Sequence, residues 1–259
     1  MLTRELYDVS LAEFEQLQAD IEQLNGGGGK GVLAALPHDQ HILIAGATGA
    51  GKSVLLNGFI NELLQESPYA EWLLLIDPKQ VELSHLKQAP HTLTYASTRV
   101  DIVKALQLAN KIMNKRFKEM QKRKLTLYDG GRLHVVIDEL ANLMIDNKKE
   151  VEPLLSQLLI LGRAAKISVV ACTQRATASV VSNLVKANIV HRVALRTATR
   201  QESRNILEQG GAEKLPRCGE CIYFDGIDYT NFSVPLVDKD VIIKSIKMWR
   251  DSQKGILRR

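Results

Sequence analysis

The sequence of 259 residues lacks several features that mark whole classes of protein. It has no run of about 18 apolar residues, so we expect no transmembrane helix. Its start, MLTRELYDVS, has no apolar stretch like that of a secretory signal. Three cysteines are too few for a disulfide scaffold, which favours a reducing, cytoplasmic setting. Aromatic residues make up only 5%, which argues against a platform that stacks single-stranded nucleic acid.

The composition is that of an ordinary globular protein. Hydrophobic residues make up 45% and charged residues 24%, and the length suits one large domain or one domain plus a small appendage. Lysine and arginine outnumber aspartate and glutamate by 34 to 29, a mild excess that does not by itself indicate a nucleic-acid partner. Basic residues cluster in 111–124 and in 186–204. Both stretches could bind phosphate groups, although a solvated helix face explains the first equally well.

The N-terminal part differs from the rest of the chain. Ser10 and Glu13 form a capping box, and apolar residues recur at helical spacing over residues 10–24, which predicts an amphipathic helix. Four consecutive glycines, Gly26–Gly29, are typical of a flexible linker. We therefore divide the chain into an N-terminal helical segment (1–25), a Gly-rich linker and entry (26–37) and a main domain (38–259).

The main domain alternates short apolar runs with longer amphipathic segments. The runs are rich in Val, Ile and Leu, as in strands that are buried on both faces. This alternation predicts an α/β fold, with a mostly parallel sheet covered by helices on both faces. Ligands of such sheets bind at the carboxyl ends of the strands. The predicted strands are 41–45, 73–77, 133–138, 167–173 and 189–195, and the predicted helices lie near 52–66, 99–124, 149–163 and 199–209.

The segment GATGAGKS fits the phosphate-binding pattern G-x-x-x-x-G-K-[ST]. It follows a predicted strand and opens a predicted helix, as this pattern requires. Its glycines allow backbone N–H groups to turn towards phosphates, and the helix N-terminus adds partial positive charge. We expect Lys52 to reach the β- and γ-phosphates of ATP and the Ser53 hydroxyl to bind Mg²⁺. The predicted nucleotide-binding residues are Gly46, Ala47, Thr48, Gly49, Ala50, Gly51, Lys52, Ser53 and Val54.

Two adjacent carboxylates, Asp138 and Glu139, end another predicted strand. We expect Asp138 to hold the Mg²⁺ ion through its water shell and Glu139 to polarise the attacking water. The alternative is a pair of surface acids that cap a helix.

The next predicted strand ends in Thr173-Gln174-Arg175. A polar group at this position could contact the γ-phosphate and report hydrolysis to the following loop, and we select Gln174 for this role. Polar turns after strands are common, so the tripeptide alone is weak evidence.

Together these segments resemble the FtsK/SpoIIIE family of double-stranded DNA translocases. The resemblance covers roughly residues 38–225 and includes HILIAGATGAGKSVLLN, IDPKQVELS, VVIDELANLM, LGRAAKI and CTQRATASVVSNLVKANIVHRVAL, in the family's order. It implies a RecA-like P-loop NTPase core that forms a hexameric ring around duplex DNA and completes its active site between subunits. The membrane spans, long linker and winged-helix module of chromosome-segregating members are not found in the sequence. It therefore resembles a stripped motor, or a fragment of a larger protein such as one from a mobile element.

The resemblance also implies roles for basic residues. Arg163, in LGRAA, matches the arginine that a neighbouring subunit supplies, where its guanidinium would stabilise charge on the transferring phosphoryl group. The segment from Arg175 to Lys186 matches a DNA-contacting channel loop, and these two residues are the first candidates for phosphate contacts. Arg200 and Arg204, four apart on a predicted helix, come next. Each of these could instead form a salt bridge.

Cys218 and Cys221 form a C-x-x-C pair, a spacing that zinc sites and redox sites use. A tetrahedral zinc site needs two further ligands, and the sequence holds no second pair. Cys172, the third cysteine, lies in a predicted strand. We therefore interpret the pair as structural.

The sequence as a whole predicts an ATPase that uses ATP hydrolysis to move duplex DNA. Two alternatives stay open. One is an ATPase of the same fold that moves polypeptide in secretion, and the other is a nucleotide-gated DNA-binding or coupling module with little ATPase activity alone. DNA-stimulated hydrolysis would distinguish them.

Overall fold

The computed structural model describes residues 32–66, 71–146, 148–216 and 218–234, together with 243–244 and 246–247. The predicted helix 10–24 and the glycine linker lie outside the described residues, so the division into three parts stays a prediction. No helix in the described ranges is long and apolar enough to cross a membrane.

Eight strands form one sheet in the described part of the chain. They are β1 (Ile42–Ala45), β2 (Glu71–Ile76), β3 (Thr92–Ala96), β4 (Arg132–Ile137), β5 (Ile167–Thr173), β6 (His191–Leu195), β7 (Glu220–Phe224) and β8 (Tyr229–Ser233). Their order across the sheet is β3-β2-β4-β5-β1-β6-β7-β8. The pairs from β3 to β6 are parallel, whereas β7 runs antiparallel to β6 and β8. The predicted α/β class with a mostly parallel sheet is confirmed.

Helices cover both faces of this sheet. They are α1 (Val32–Ala35), α2 (Lys52–Glu66), α3 (Arg99–Arg123), α4 (Leu140–Asp146), α5 (Lys148–Leu161), α6 (Asn183–Asn188) and α7 (Arg200–Leu207). The first two pack on one face and the other five on the opposite face. Short 3-10 helices lie at Ser84–Gln88, Gly162–Ala165 and Ala212–Lys214.

The central strands consist of apolar residues because both of their faces are covered. Every residue of β1 and of β5 is buried. Since successive side chains of a strand point to opposite faces, Leu43 and Ala45 join one core cluster while Ile42 and Ile44 join the other. The two clusters together fix the sheet between its helical layers.

The sequence prediction differs from the structure mainly at the edges of the sheet. The five predicted strands are present with small shifts at their ends, but β3, β7 and β8 were not predicted. The edge strand β3 is partly exposed and the edge strand β8 is mostly exposed, so both lack the continuous apolar run that identified the buried strands. The predicted helix 149–163 ends at Leu161, and a 3-10 helix continues from there. The short helices α4 and α6 were also missed.

Candidate active site

The glycine-rich segment forms a tight loop between β1 and α2. Gly49 and Gly51 have φ angles of 78° and 99°, in the left-handed region that favours glycine. Gly46 allows a close approach, because a Cβ there would lie 2.8 Å from Cβ of Leu195. The loop is held to neighbouring strands by the N–H groups of Gly46 and Ala47, which donate to the carbonyls of Thr173 (3.2 Å) and Arg196 (2.8 Å).

A cavity of about 570 Å³ lies against this loop, a volume that suits a small-molecule ligand. Most of the predicted nucleotide-binding residues contribute to its wall, namely Ala47, Thr48, Gly49, Gly51, Lys52, Ser53 and Val54. Gln174 also lines it. Four further lining residues were not predicted from the sequence: Glu82, Cys218, Gly219 and Val234.

Lys52 and Asp138 face each other at the base of the site. Both are buried, and Lys52 Nζ lies 3.7 Å from Asp138 Oδ1. Burial alone would lower the pKa of Lys52, but Cys172 and the surrounding carboxylates outweigh this effect and raise the pKa. Burial raises the pKa of Asp138, and the Lys52 ammonium opposes that rise only in part. The lysine is therefore kept charged in a site of concentrated negative potential.

The same two side chains carry buried polar atoms that a nucleotide phosphate and a metal ion would satisfy. Neither Lys52 Nζ nor Asp138 Oδ1 has a hydrogen-bond partner among the described residues, although both atoms are buried. A phosphate oxygen would satisfy the ammonium, and a hydrated Mg²⁺ ion would satisfy the carboxylate oxygen. Ser53 is the second residue of α2 and lines the same cavity, so its hydroxyl is available as a metal ligand.

Glu139 is buried beside this pair and is held by three donors. Thr173 Oγ donates to Oε1 at 2.7 Å, the Gln174 N–H reaches both carboxylate oxygens at 3.2 and 3.1 Å, and the Ala141 N–H lies 3.3 Å from Oε1. The carboxylate is therefore tied to the carboxyl end of β5. Thr173 was not selected from the sequence, where it is simply the last residue of an apolar strand.

Gln174 connects the end of β5 to the phosphate-binding loop. Its Oε1 accepts a hydrogen bond from the Thr48 hydroxyl at 2.9 Å, and the side chain lines the cavity. Gln174 therefore links the phosphate-binding loop to the end of β5, where Glu139 is held, and a phosphate bound between them would contact it.

The turn after β2 supplies another part of the cavity wall. Asp77 is fully buried, and its Oδ2 accepts from the Leu83 N–H at 3.0 Å and the Tyr95 hydroxyl at 3.1 Å. These bonds shape the turn that carries Glu82 into the cavity. No sequence pattern indicated Glu82, because its place in the wall depends on the fold of this turn.

Arg163 is not brought to the other site residues of the same chain. It is exposed on the 3-10 helix before β5, at the amino edge of the sheet, whereas the phosphate-binding loop lies at the carboxyl edge. Arg116 Nη1 donates to the carbonyls of Ala165 (2.8 Å) and Lys166 (3.0 Å), and its guanidinium lies 4.7 Å from the ring centroid of Tyr128. The Tyr128 N–H donates to the Ala164 carbonyl at 2.9 Å. The segment is thus braced with its arginine facing outward.

The candidate DNA residues separate into two groups. Arg175 follows β5, and Arg200 and Arg204 lie on α7 after β6; all three are exposed. Asn205 Nδ2 donates to the Ala176 carbonyl at 2.6 Å, which ties α7 to the loop after β5. Lys186 is half-buried in α6, on the connection that returns to the amino end of β6, so 175–186 is not wholly a loop.

Arg192, in the second basic cluster of the sequence, has a structural position. It is buried and donates to the carbonyls of Ile189, Ile206 and Lys186, and it pairs with Glu208 at 3.1 Å. It is therefore unavailable to a phosphate backbone. The basic cluster at 186–204 therefore has fewer surface charges than its sequence suggests, because Arg192 is buried.

The cysteine pair is divided between the cavity and the core. Cys218 is exposed and lines the cavity, whereas Cys221 is buried in β7. Within the described ranges, no cluster of three or more His, Cys, Asp or Glu side chains could hold a metal ion. Cys221 is therefore a core residue, whereas Cys218 is not packed in the core.

Comparisons with known proteins show which family and which folds the chain resembles. Residues 25–134 match the model of the FtsK/SpoIIIE family. The DNA translocase FtsK of Bacillus cereus is 36% identical, over 75% of this chain and 27% of the relative. The chain thus spans about a quarter of the length of this relative.

Solved structures share the fold. The pCW3 conjugation coupling protein TcpA, determined with ATPγS, matches with a TM-score of 0.73 and 25% identity over 83% of this chain and 66% of that one. The cytoplasmic domain of the type VII secretion ATPase EccC of Thermomonospora curvata matches with a TM-score of 0.67 and 21% identity. That match covers 80% of this chain and 28% of EccC. At this identity EccC shows the fold alone.

Proposed function

The chain belongs to the FtsK/SpoIIIE family of P-loop ATPases, and on that premise we propose that it is an ATP-driven translocase of double-stranded DNA that acts as a hexameric ring. The observation that carries the proposal is the buried group of Lys52, Asp138 and Glu139 beside the phosphate-binding loop. These side chains would supply the phosphate, metal and water contacts of ATP hydrolysis, and the matched relative is named a DNA translocase.

In the proposed reaction each residue of this group has a separate task. Lys52 and the loop N–H groups bind the phosphates, while Ser53 and Asp138 would hold Mg²⁺. When bound, Mg²⁺ neutralises phosphate charge. Glu139 accepts the proton of the water whose oxygen attacks the γ-phosphorus, and the bond to the β–γ bridging oxygen breaks. Thr173 keeps the Glu139 carboxylate in place for this transfer.

The exposed position of Arg163 supports assembly into a ring. One chain cannot bring Arg163 to its own cavity, because the two lie at opposite edges of the sheet. In a ring, the amino edge of one subunit can meet the carboxyl edge of the next. Arg163 would then stabilise charge on the phosphoryl group bound by its neighbour and couple hydrolysis between subunits.

The DNA contacts are assigned to the carboxyl edge of the sheet. Arg175 follows the strand whose end holds Glu139 and Gln174, so a change at the γ-phosphate can reach it over one or two residues. Arg200 and Arg204 are coupled to the same loop through Asn205. We rank Lys186 below these three candidates, because it lies in α6, on the connection that returns to the amino end of β6.

The test is steady-state ATP hydrolysis by the full chain, with and without long linear duplex DNA. We expect duplex DNA to stimulate hydrolysis more than single strands or polypeptide do. Lys52→Ala should reduce the DNA-dependent rate to background, whereas Lys149→Ala, which removes an exposed lysine of α5, should leave it unchanged. DNA-dependent hydrolysis that survives in Lys52→Ala would contradict the proposal.

A second candidate follows from the similarity to TcpA, a conjugation coupling protein. The chain would then be a nucleotide-gated DNA-binding or coupling module. In that case ATP would change the affinity for duplex DNA while hydrolysis stayed slow and independent of DNA. Stimulation by polypeptide instead of DNA would favour the secretion alternative.

A further inference from the structure

Five lysines form a straight stripe on the outer face of α3. Their intervals of seven, four, three and four residues keep them on one side of the helix. At 1.5 Å per residue the stripe is about 27 Å long. The opposite side of the helix packs on the sheet through residues such as Ile102, Leu106 and Met113. The members of this lysine stripe are Lys104, Lys111, Lys115, Lys118 and Lys122, all of them exposed.

The charges of the lysine stripe have no partners in the described part of the chain. None of the five lysines forms an ion pair there. The acids of α3 are engaged elsewhere: Asp101 accepts from the capping residue Thr98, and Glu119 pairs with Arg123. Within the described residues the stripe therefore carries five exposed lysines without a direct ion pair, and Asp101 and Glu119 are the two acids on the same helix.

This helix face has more positive than negative charge: Glu119 is the single acid between residues 104 and 122, and it pairs with Arg123. Solvated helix faces usually carry opposite charges three or four residues apart, which stabilise the helix, whereas like charges at this spacing destabilise it. Lys111, Lys115, Lys118 and Lys122 repeat the unfavourable spacing three times in succession. The attraction between these lysines and a bound polyanion would offset the repulsion among them.

A groove beside the stripe adds neutral donors to these charges. It has a volume of about 490 Å³ and lies where α3 meets Leu154 of α5. Besides three of the stripe lysines it is lined by Gln107, Asn110 and Asn114. Gln107 and Asn114 are exposed, so their amide N–H groups are free to reach phosphate or sugar oxygens.

We propose that the lysine stripe binds the phosphate backbone of duplex DNA, as a second contact surface beyond the candidate DNA residues at the carboxyl edge. Its length approaches one helical turn of B-DNA, about 34–36 Å. No large apolar side chain is exposed between residues 104 and 122, all of which are described. Protein interfaces are depleted in lysine and rely on apolar or aromatic anchors, so a phosphate backbone fits this surface better than an acidic protein.

The course of α3 suggests how such DNA would lie. The helix begins just after β3, at the carboxyl edge of the sheet, and ends before β4, at the amino edge. A duplex along the stripe would therefore run parallel to the strands, from the edge with the nucleotide cavity towards the edge with Arg163. This inference rests on the proposed function for its choice of DNA, but the contact itself needs no ATP hydrolysis.

The test measures duplex binding by fluorescence anisotropy, with the full chain and without nucleotide, between 50 and 200 mM salt. The variant K111Q/K115Q/K118Q removes three stripe charges at exposed positions. A matched control, K149Q/K244Q/K247Q, removes three exposed lysines elsewhere. A third variant, K111R/K115R/K118R, keeps the charge.

We expect the stripe variant to bind more weakly and to have a slope of log affinity against log salt that is smaller in magnitude by about 2.7, roughly 0.9 for each phosphate contact. Over this salt range the wild-type chain should lose about 40-fold more affinity than the variant. The matched control and the arginine variant should behave like the wild type.

Three results would overturn the proposal. These are an unchanged salt slope in the stripe variant, an equal change in the matched control, and a wild-type chain that binds polyglutamate but not duplex. The steady-state ATP hydrolysis assay distinguishes a failure of the stripe proposal from a failure of the proposed translocase function. Stripe-dependent binding without DNA-stimulated hydrolysis would reject only the translocase, and stimulated hydrolysis with stripe-independent binding would reject only the stripe.

Discussion

At the scale of single residues, the hydroxyl of Thr173 links the fold to the chemistry. It donates to Glu139 at 2.7 Å and accepts from the Arg175 N–H at 3.1 Å. One side chain therefore orients the proposed base and begins the segment that carries a candidate DNA contact. Glu139 is buried, so without the Thr173 hydroxyl its carboxylate would lose one hydrogen bond that water could not readily replace. Its position would also be less well defined.

We predict that Thr173→Val reduces kcat for ATP up to about 100-fold, because a small displacement of the base disrupts proton transfer. The affinity for ATP should stay unchanged, since Thr173 does not line the cavity wall. Thr173→Ser keeps the hydroxyl and is the control. Single-turnover hydrolysis and nucleotide titration measure the two quantities, and full turnover in the valine variant would contradict the assigned role.

At the scale of elements, the connection between α5 and β5 determines where Arg163 points. The 3-10 helix ends at Ala165 and is followed by Lys166, whose φ of 51° lies in the left-handed region. Arg116 spans the gap from α3 to the last carbonyls of this turn, and Tyr128 covers its guanidinium. Burial lowers the pKa of Arg116, although the group remains charged near neutral pH. The brace thus connects the long basic helix to the arginine proposed to act in trans.

We predict that Arg116→Met lowers the free energy of unfolding by about 1–3 kcal/mol, because two carbonyls lose a charged donor. It should also reduce hydrolysis by the assembled protein while nucleotide affinity is retained, since the brace lies at the edge opposite the cavity. Arg116→Lys should rescue only in part, because an ammonium cannot reproduce the planar, stacked guanidinium.

The control for the Arg116 brace is Arg123→Met, on the same helix. Arg123 forms exposed pairs with Glu119 and Asp129, so its loss should change stability little. Urea denaturation and steady-state hydrolysis provide the readouts. Equal stability losses in the two variants would show that the brace has no special role.

At the scale of the whole molecule, the residues that we propose for ATP hydrolysis lie at two edges of one sheet. The cavity, Lys52 and Glu139 lie at the carboxyl edge, and Arg163 lies at the amino edge. A parallel sheet places these groups apart by the length of its strands, so only a neighbouring copy can unite them. The proposed action of Arg163 in trans therefore requires a second copy of the chain, which the proposed ring would supply.

We predict that two inactive variants, Glu139→Gln and Arg163→Ala, regain activity when mixed. A site on an Arg163→Ala subunit keeps Glu139, and a Glu139→Gln neighbour supplies the missing arginine. At equal amounts and with random assembly, about a quarter of the interfaces would be complete. Hydrolysis is measured in the mixture and in each variant alone. No recovery in a mixture shown by mass measurement to co-assemble would contradict action in trans.

Much of the fold and part of the site could be predicted from local sequence. The central strands are apolar because helices cover both of their faces, so β1 and β5 can be recognised from their residues. The segment Gly46–Ser53 carries its own backbone requirement, since left-handed φ angles at Gly49 and Gly51 need glycine. These features depend on neighbours a few positions away, so the sequence by itself determined them.

Other features depend on contacts between distant segments, and only the tertiary structure decided them. Glu82 and Cys218 meet in one cavity wall although 136 residues separate them. Arg192 looks like a surface cation in sequence, yet burial and carbonyl acceptors make it part of the core. The five exposed lysines of α3 form no ion pair among the described residues, because Asp101 and Glu119 of the same helix bond to Thr98 and Arg123. The sequence determines which residues carry a charge, but the packing of the whole chain determines which groups lie next to that charge.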